Sequence, residues 1–298
     1  MLYSFNIEME FEDRYRQGQG PKFDCLLFDL DDTLYPMSSG LAKEVLKNIG
    51  DYMVKKLGIE KEKVPALCDL LYKNYGTTMA GLRAIEYEFE YDDYHGFVHG
   101  RLPYHNLKTD PILRNLLFNM PQRKLIFTNA DKNHAVKALN MLGVEDCFEG
   151  IICFETLNPS KNYEDEDEDD REINHSRNEP FDILQFSSQP CSLSQLPKTP
   201  ILCKPSIDAF DEALRIANID PQRTIFFDDS PRNILSAKRA GLHTVLVGNS
   251  VRSRGADHAL KSIHNIREAL PELWESEKMD ETVKYPSGKV AIETPVTA

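Results

Sequence analysis

The 298-residue chain contains no run approaching the ~20 apolar residues that a membrane-spanning helix needs, so no membrane partner is expected. It has no Cys-x-x-Cys pair either. Its six cysteines, Cys25, Cys68, Cys147, Cys153, Cys191 and Cys203, are scattered, several of them inside apolar runs. That pattern suits reduced, mostly buried thiols rather than a disulfide framework, and points to a cytoplasmic or nuclear location. The opening segment MLYSFNIEMEFEDRYRQGQG lacks the basic-then-apolar pattern of a secretory leader, and Met9 is a second candidate start. Positive charge is scarce as well: 35 Lys and Arg stand against 48 Asp and Glu, a net charge of −13. Nucleic-acid phosphates are neutralised by basic surfaces, so a nucleic-acid partner is not expected. Apolar residues, by contrast, make up 41% of the chain, enough for a sizeable core and too many for wholesale disorder. The length suits about two domains, or one with a large insert.

Short apolar runs bounded by polar residues punctuate the chain. Cys25-Leu-Leu-Phe28 ends abruptly in Asp29, Lys124-Leu-Ile-Phe127 in Thr128, and Thr224-Ile-Phe-Phe227 in Asp228; Gly150-Ile-Ile-Cys153 and His243-Thr-Val-Leu-Val247 have the same form. Such runs predict strands buried on both faces of a parallel sheet. Helical spacing falls between them: His134 to Leu142 stops at Gly143, and Ser206 to Ala217 carries Ile207, Phe210, Leu214 and Ala217. Ser230-Pro231 predicts an N-cap and first helical residue, and Gly241 the end of that helix. The alternation predicts an α/β domain with a parallel sheet, whose ligands sit beyond the carboxyl ends of the strands. Asp29, Thr128 and Asp228 should then share one edge.

Residues 37–121 read differently. Leu41, Val45, Leu46, Ile49, Met53 and Leu57 mark an amphipathic helix, a second runs from Val64 towards Tyr75, and Asp110-Pro111 opens a third over Ile112 to Met120. The expected division is a loose arm over 1–20, an α/β core over 21–36 and 122–272, an inserted helical domain over 37–121, and a frayed tail over 275–298. Within the core, 158–199 is expected to be a disordered acidic insertion, because the like-charge block Glu164–Asp170 repels itself and buries nothing.

Asp29 and Asp31 lie two apart directly after the first strand, so extended backbone would point both to one side. Adjacent carboxylates repel, which favours a bound cation or a retained proton, and either is useful in phosphoryl transfer. An acidic turn at a strand end has the same composition. Thr128-Asn129, Lys204 within Ile201-Leu-Cys-Lys-Pro205, Asp228-Asp229, and Asn233 one helical turn past Ser230 add the features that separate the two readings.

In that order, D-x-D-x-T, strand–Thr, Lys and strand–Asp-Asp, the sequence resembles the haloacid dehalogenase-like hydrolases over about residues 23 to 270. The resemblance implies a Rossmann-like core with an all-helical cap. It makes Asp29 the nucleophile that forms an aspartyl-phosphate, and Asp31 the acid that protonates the leaving oxygen and then activates water. Thr128 would donate a hydrogen bond to a phosphoryl oxygen, Asn129 would bind substrate, and Lys204 would hold the phosphate and offset the charge of Asp29. Mg2+ would sit on Asp29, Asp229 and the Asp31 carbonyl, with Asp228 beside them, an oxygen-only set of the kind it prefers. Dehalogenase members lack an acid at the position of Asp31, so its presence implies phosphate-ester hydrolysis.

The cap runs Tyr75-Gly-Thr-Thr-Met-Ala-Gly-Leu-Arg83 and Tyr94-His-Gly-Phe-Val-His-Gly-Arg-Leu-Pro103 resemble the pyrimidine 5′-nucleotidase branch, especially its plant members with Asp-Leu-Asp-Asp-Thr-Leu-Tyr-Pro at the first motif. That resemblance implies a small phosphorylated metabolite, a nucleoside 5′-monophosphate, with Tyr75, His99 and Arg101 as substrate contacts. A related plant branch is selective for xanthosine monophosphate, which keeps a purine substrate open. Phosphomutase activity and a non-catalytic phosphate-sensing role are the alternatives, and no metal-ligand spacing is read from the remaining histidines.

Overall fold

The computed structural model describes residues 22–159, 180–187 and 196–274. Strands β1 (Cys25–Phe28), β2 (Arg123–Phe127), β3 (Gly150–Ile152), β4 (Thr224–Asp228), β5 (His243–Val247) and β6 (His258–Leu260) form one sheet of order β3-β2-β1-β4-β5-β6. Every pairing in it is parallel. All residues of β1 and β4 are buried, as continuous apolar runs covered on both faces should be. The edge strand β6 has one buried residue in three and no apolar run to announce it, and the sequence reading missed it.

Between β1 and β2 lie α1 (Leu41–Lys55), α2 (Val64–Tyr75), α3 (Thr78–Ala84), α4 (Tyr91–Val98) and α5 (Pro111–Phe118). After β2 come α6 (Lys132–Leu142), α7 (Phe154–Leu157), α8 (Ile183–Ser187), α9 (Ile207–Ala217), α10 (Pro231–Arg239) and α11 (Ile266–Ala269). The Asp131 side chain caps α6 by accepting from the His134 N–H, and Gly143 ends it in the left-handed region, φ +70°. Ser230 occupies the cap position of α10 without a side-chain capping bond; its own N–H donates to Asp228 instead.

Alternation along the strands divides the core. Leu26, Phe28, Ile126 and Phe227 face one apolar layer, whereas Cys25, Leu27, Phe127 and Phe226 face the other, under Phe210 of α9. Helices α1 to α4 build a separate core of Tyr52, Met53, Leu71, Leu82, Tyr94 and Val98. Helix α5 does not join it: Leu113 and Leu117 pack with Leu139 and Phe28 in the sheet's layer, as do Leu102, Tyr104 and Leu107. The helical domain expected over 37–121 therefore ends, by packing, soon after Val98, because the apolar face of α5 matches α6 and the sheet rather than its sequence neighbours.

The arm over 1–20, the block Glu164–Asp170 and the tail over 275–298 lie outside the described residues. The flanks of the expected insertion over 158–199 are a correction: Ile183 is buried in the helical core, the Phe181 N–H donates to the Ile85 carbonyl, and the Thr199 hydroxyl donates to the Ala80 carbonyl at 2.7 Å. Apolar residues after the acidic block, Ile183 and Ile201 among them, pack into the core of helices α1 to α4, which composition alone does not reveal. Of the cysteines, Cys25, Cys153 and Cys203 are buried and unpaired, Cys68 and Cys147 are half-buried and unpaired, and Cys191 lies outside the described residues. Among the described residues, no helix is long and apolar enough to cross a membrane.

Phe226 is fully buried with its ring edge-on to Phe210 and near Phe127. Phe226→Ala should lower stability by about 3–5 kcal/mol through lost transfer energy and a residual cavity. A denaturant midpoint unchanged from the parent would contradict this packing.

Candidate active site

Strand β1 lies between β2 and β4, so the chain leaves the sheet in opposite directions from its two sides. Their carboxyl ends open on a common crevice, the place where ligands bind in open α/β sheets. Asp29 follows β1 and its N–H donates to the Phe227 carbonyl at 2.8 Å; Thr128 follows β2 and its N–H donates to the Ile152 carbonyl at 2.9 Å. Asp228 ends β4. The shared edge expected from the sequence is the one observed.

Lys204 fills the centre of this edge, with 1% of its side chain exposed. Its ammonium donates to Asp29 Oδ1 at 2.7 Å, to the Phe127 carbonyl at 2.7 Å and to Asp228 Oδ2 at 2.8 Å. An ammonium has three donors, and all are used. The Phe127 and Phe226 rings wall the charge at 5.0 and 5.2 Å. Asp228 is saturated: besides Lys204, its oxygens accept from the Ser230 N–H at 2.8 Å and from the Asn233 amide at 3.0 and 3.1 Å.

Asp29, Asp228 and Asp229 each offer an oxygen within 4.8 Å of the others. The Thr33 hydroxyl donates to Asp29 Oδ2 at 3.1 Å. Burial pushes Asp29 well above the usual carboxylate range, and the charges of Asp228, Asp229 and Asp31 add to this against the opposing pull of Lys204. Asp229 is pushed up to about 7 by burial and by the charges of Asp228 and Asp32. Asp32, at φ +58°, has a buried Oδ1 with no hydrogen-bond partner among the described residues and is raised to about 6 by burial and by Asp31. Carboxylates thus outnumber the one ammonium at this edge, and the uncompensated charge, with the oxygens that Asp29 and Asp229 still offer, fits a hard divalent cation.

Asp31 finds partners of its own, different from those of Asp29. The chain coils immediately after β1, with the Leu34 N–H donating to the Leu30 carbonyl, and extended geometry ends before the second acid. Its Oδ1 accepts from the Tyr35 hydroxyl and lies 2.8 Å from His134 Nε2, whose Nδ1 meets the Tyr104 hydroxyl at 2.8 Å. Burial would raise Asp31, but the charge of His134 and the bonds from His134 and Tyr35 outweigh it and hold the carboxyl below its ordinary range. The sequence reading missed His134 and Tyr35 as partners of Asp31; His134 is 103 positions away, and no short motif joins them.

The Thr128 hydroxyl is buried at the edge and accepts from the Ala130 N–H at 3.0 Å, leaving its proton to donate. Asn129, expected to bind substrate, instead clamps the main chain of Lys204: its amide donates to the Lys204 carbonyl at 2.9 Å and accepts from the Lys204 N–H at 2.8 Å. Tyr75 and Arg101, also expected as substrate contacts, are turned elsewhere. The Tyr75 hydroxyl donates to the Pro197 carbonyl at 3.0 Å. The Arg101 guanidinium lies over the Phe97 ring at 4.4 Å and 3.7 Å from Asp51. Only His99 of the three reaches the crevice, with Nδ1 on Asp131 Oδ1 and its ring 4.7 Å from that of His134.

The family described as haloacid dehalogenase-like hydrolase matches residues 195–247, the stretch that carries Lys204, Asp228 and Asp229. A curated yeast relative, phosphate metabolism protein 8 of Saccharomyces cerevisiae, is 31% identical over 139 residues, 44% of this chain and 43% of its own length; the chain thus aligns with less than half of that protein. Among solved structures, a phosphatase of the same superfamily from Thermococcus onnurineus is 17% identical, covering 82% of this chain and 96% of its own (TM-score 0.48). CbbY from Rhodobacter sphaeroides, solved with phosphate, is 16% identical, covering 82% and 96% (TM-score 0.49). The similarity to haloacid dehalogenase-like hydrolases thus rests on residues 195–247 and on the partial match to the yeast relative, within the parallel α/β core already described.

The helical layer also meets Lys204. Gly76, at φ +89°, abuts the Lys204 carbonyl, and a Cβ there would stand 2.4 Å from that oxygen. Gly76→Ala should displace the Lys204 segment and lower turnover by more than about tenfold, since a displacement of ~1 Å can cost a hundredfold. Full activity in a folded Gly76→Ala variant, measured at saturating substrate, would contradict this contact.

Proposed function

We propose that this protein is a Mg2+-dependent phosphatase that hydrolyses a nucleoside 5′-monophosphate, or a similar small phosphomonoester, through an aspartyl-phosphate on Asp29. The observation that carries the reading is the convergence of Asp29, Asp229 and the Lys204–Asp228 pair at the carboxyl ends of adjacent strands. Asp29 would attack phosphorus in line, with Thr33 and Lys204 orienting its carboxylate. The Thr128 hydroxyl and the Lys204 ammonium would bind the phosphoryl oxygens, so most of the rate gain would come from positioning and charge stabilisation. Asp31 would move the proton, first to the leaving oxygen and later from water. Its depressed pKa suits the second task; for the first, His134 at 2.8 Å is the neighbouring proton carrier.

Asp29, Asp229 and the Asp31 carbonyl would hold Mg2+, which when bound neutralises charge on the phosphoryl group. Asp228 contributes by holding Lys204 rather than as a ligand, because its oxygens already accept from Lys204, Ser230 and Asn233. The nucleotide preference rests on the cap motifs of the sequence, and of their expected contacts His99 alone faces the crevice.

Free phosphate should be released from at least one of uridine, cytidine, guanosine and xanthosine 5′-monophosphates with Mg2+. Asp29→Asn should cut that release by more than about 10³-fold while leaving the fold intact. Phosphate isomerised rather than released would replace the hydrolase with a phosphomutase. Absence of turnover for every nucleotide, with Asp29→Asn indistinguishable from the parent, would leave a phosphate-sensing module.

The cluster also predicts a pH signature. Asp229 has a folded-state value near 7 against an ordinary 3.8, so the folded protein gains protons and its stability falls as pH rises between those values. A cation bound to the ionised carboxylate adds stability that protonation removes. The rise in melting temperature produced by Mg2+ should therefore be larger at pH 8 than at pH 6; an equal rise at both would exclude Asp229 as a ligand.

A further inference from the structure

His95 and His99 lie four residues apart, so α4 and its C-terminal cap present both rings on one face. The rings are stacked, with centroids 5.5 Å apart. Across from them, the Asp131 carboxylate at the start of α6 receives His99 Nδ1 on Oδ1, and His95 Nδ1 stands 3.5 Å from the same oxygen. One ligand atom from each of the three lies within 4.8 Å of the others. The Asp131 carboxylate is held in place by the His134 N–H, which donates to Oδ2 at 3.2 Å.

His95 is the second, independent observation. Its side chain is 8% exposed, yet neither ring nitrogen has a hydrogen-bond partner among the described residues. The ring sits against Phe154 at 4.8 Å and is edge-on to Tyr94. A buried imidazole without a hydrogen bond leaves its lost hydration uncompensated, which a ligand would restore.

We propose that His95, His99 and Asp131 form a second cation site, distinct from the acidic cluster, that takes a first-row divalent ion of the zinc class. Two imidazoles and a carboxylate are a donor set zinc accepts, with a fourth position left for water or a substrate atom. Imidazole nitrogen also separates this site from the oxygen-only cluster around Asp29, which suits Mg2+. The fixed Asp131 and the apolar wall of Phe154 supply the outer support such ligands need. The ion would join α4 of the helical layer to the loop after β2, three residues beyond Thr128, and so fasten the two layers across the crevice.

Full-length protein, with excess Mg2+ to occupy the acidic cluster, is titrated calorimetrically with Zn2+, and its Co2+ form is examined by visible absorption. One Zn2+ should bind per chain in the presence of Mg2+. Co2+ should give the bands of a four- or five-coordinate nitrogen–oxygen site, without sulfur-to-metal charge transfer. His95→Phe, which removes the ligand while filling its apolar pocket, should weaken Zn2+ binding by more than about tenfold, and His99→Asn by a similar factor. The wild-type Co2+ spectrum tests the proposal even if a variant fails to fold. Absence of stoichiometric Zn2+ binding, binding undiminished in both folded variants, or thiolate bands that place the ion on a cysteine would each overturn it.

Discussion

The arrangement depends on one buried ammonium. Lys204 has no solvent to satisfy it, so its three hydrogens must find acceptors in the fold, and the acceptors come from three different strand ends: Asp29 after β1, the Phe127 carbonyl of β2 and Asp228 of β4. Burying that charge is tolerable only because two carboxylates meet it at 2.7 and 2.8 Å. Removing one partner of such a buried pair costs several kcal/mol. The ion triad therefore couples the register of the central strands to the geometry of the site.

Other elements are built around holding that ammonium. Asn129 pairs with both main-chain groups of Lys204, Asn233 and the Ser230 N–H occupy the remaining oxygens of Asp228, and Gly76 lets the helical layer come down onto the Lys204 carbonyl. With Asp228 fully engaged, Asp29 and Asp229 are the carboxylates left to face a ligand. One ammonium does not balance the acids at this edge, which is why burial and mutual repulsion raise Asp29 and Asp229 together. Asp31 draws its compensation from His134 and Tyr35, so two acids two residues apart have different environments.

Much of the core was legible because a strand buried on both faces has to be an unbroken apolar run, and five of the six strands are such runs. The edge strand β6 was not, since one face and one edge of it need no apolar cover. The helical pattern of α5 was also legible, but not its allegiance: amphipathic spacing says that a face is buried and not against what. Composition marked the acidic block, yet Ile183 and Thr199 after it dock onto the helical layer through contacts that only the folded helices can offer.

The sequence by itself determined the strand ends and hence which of Asp29, Thr128 and Asp228 share an edge, because period and run length are local properties of the chain. The tertiary structure alone decided which side chains were already spoken for. Asn129 and Asp228 are consumed in holding Lys204, Arg101 in covering Phe97, and Tyr75 in meeting Pro197. It alone brought His134 to Asp31, and Asp131 to His95 and His99, across more than 30 residues of chain. A hydrogen-bonding group's availability depends on every neighbour that packing supplies, and those neighbours are remote in sequence.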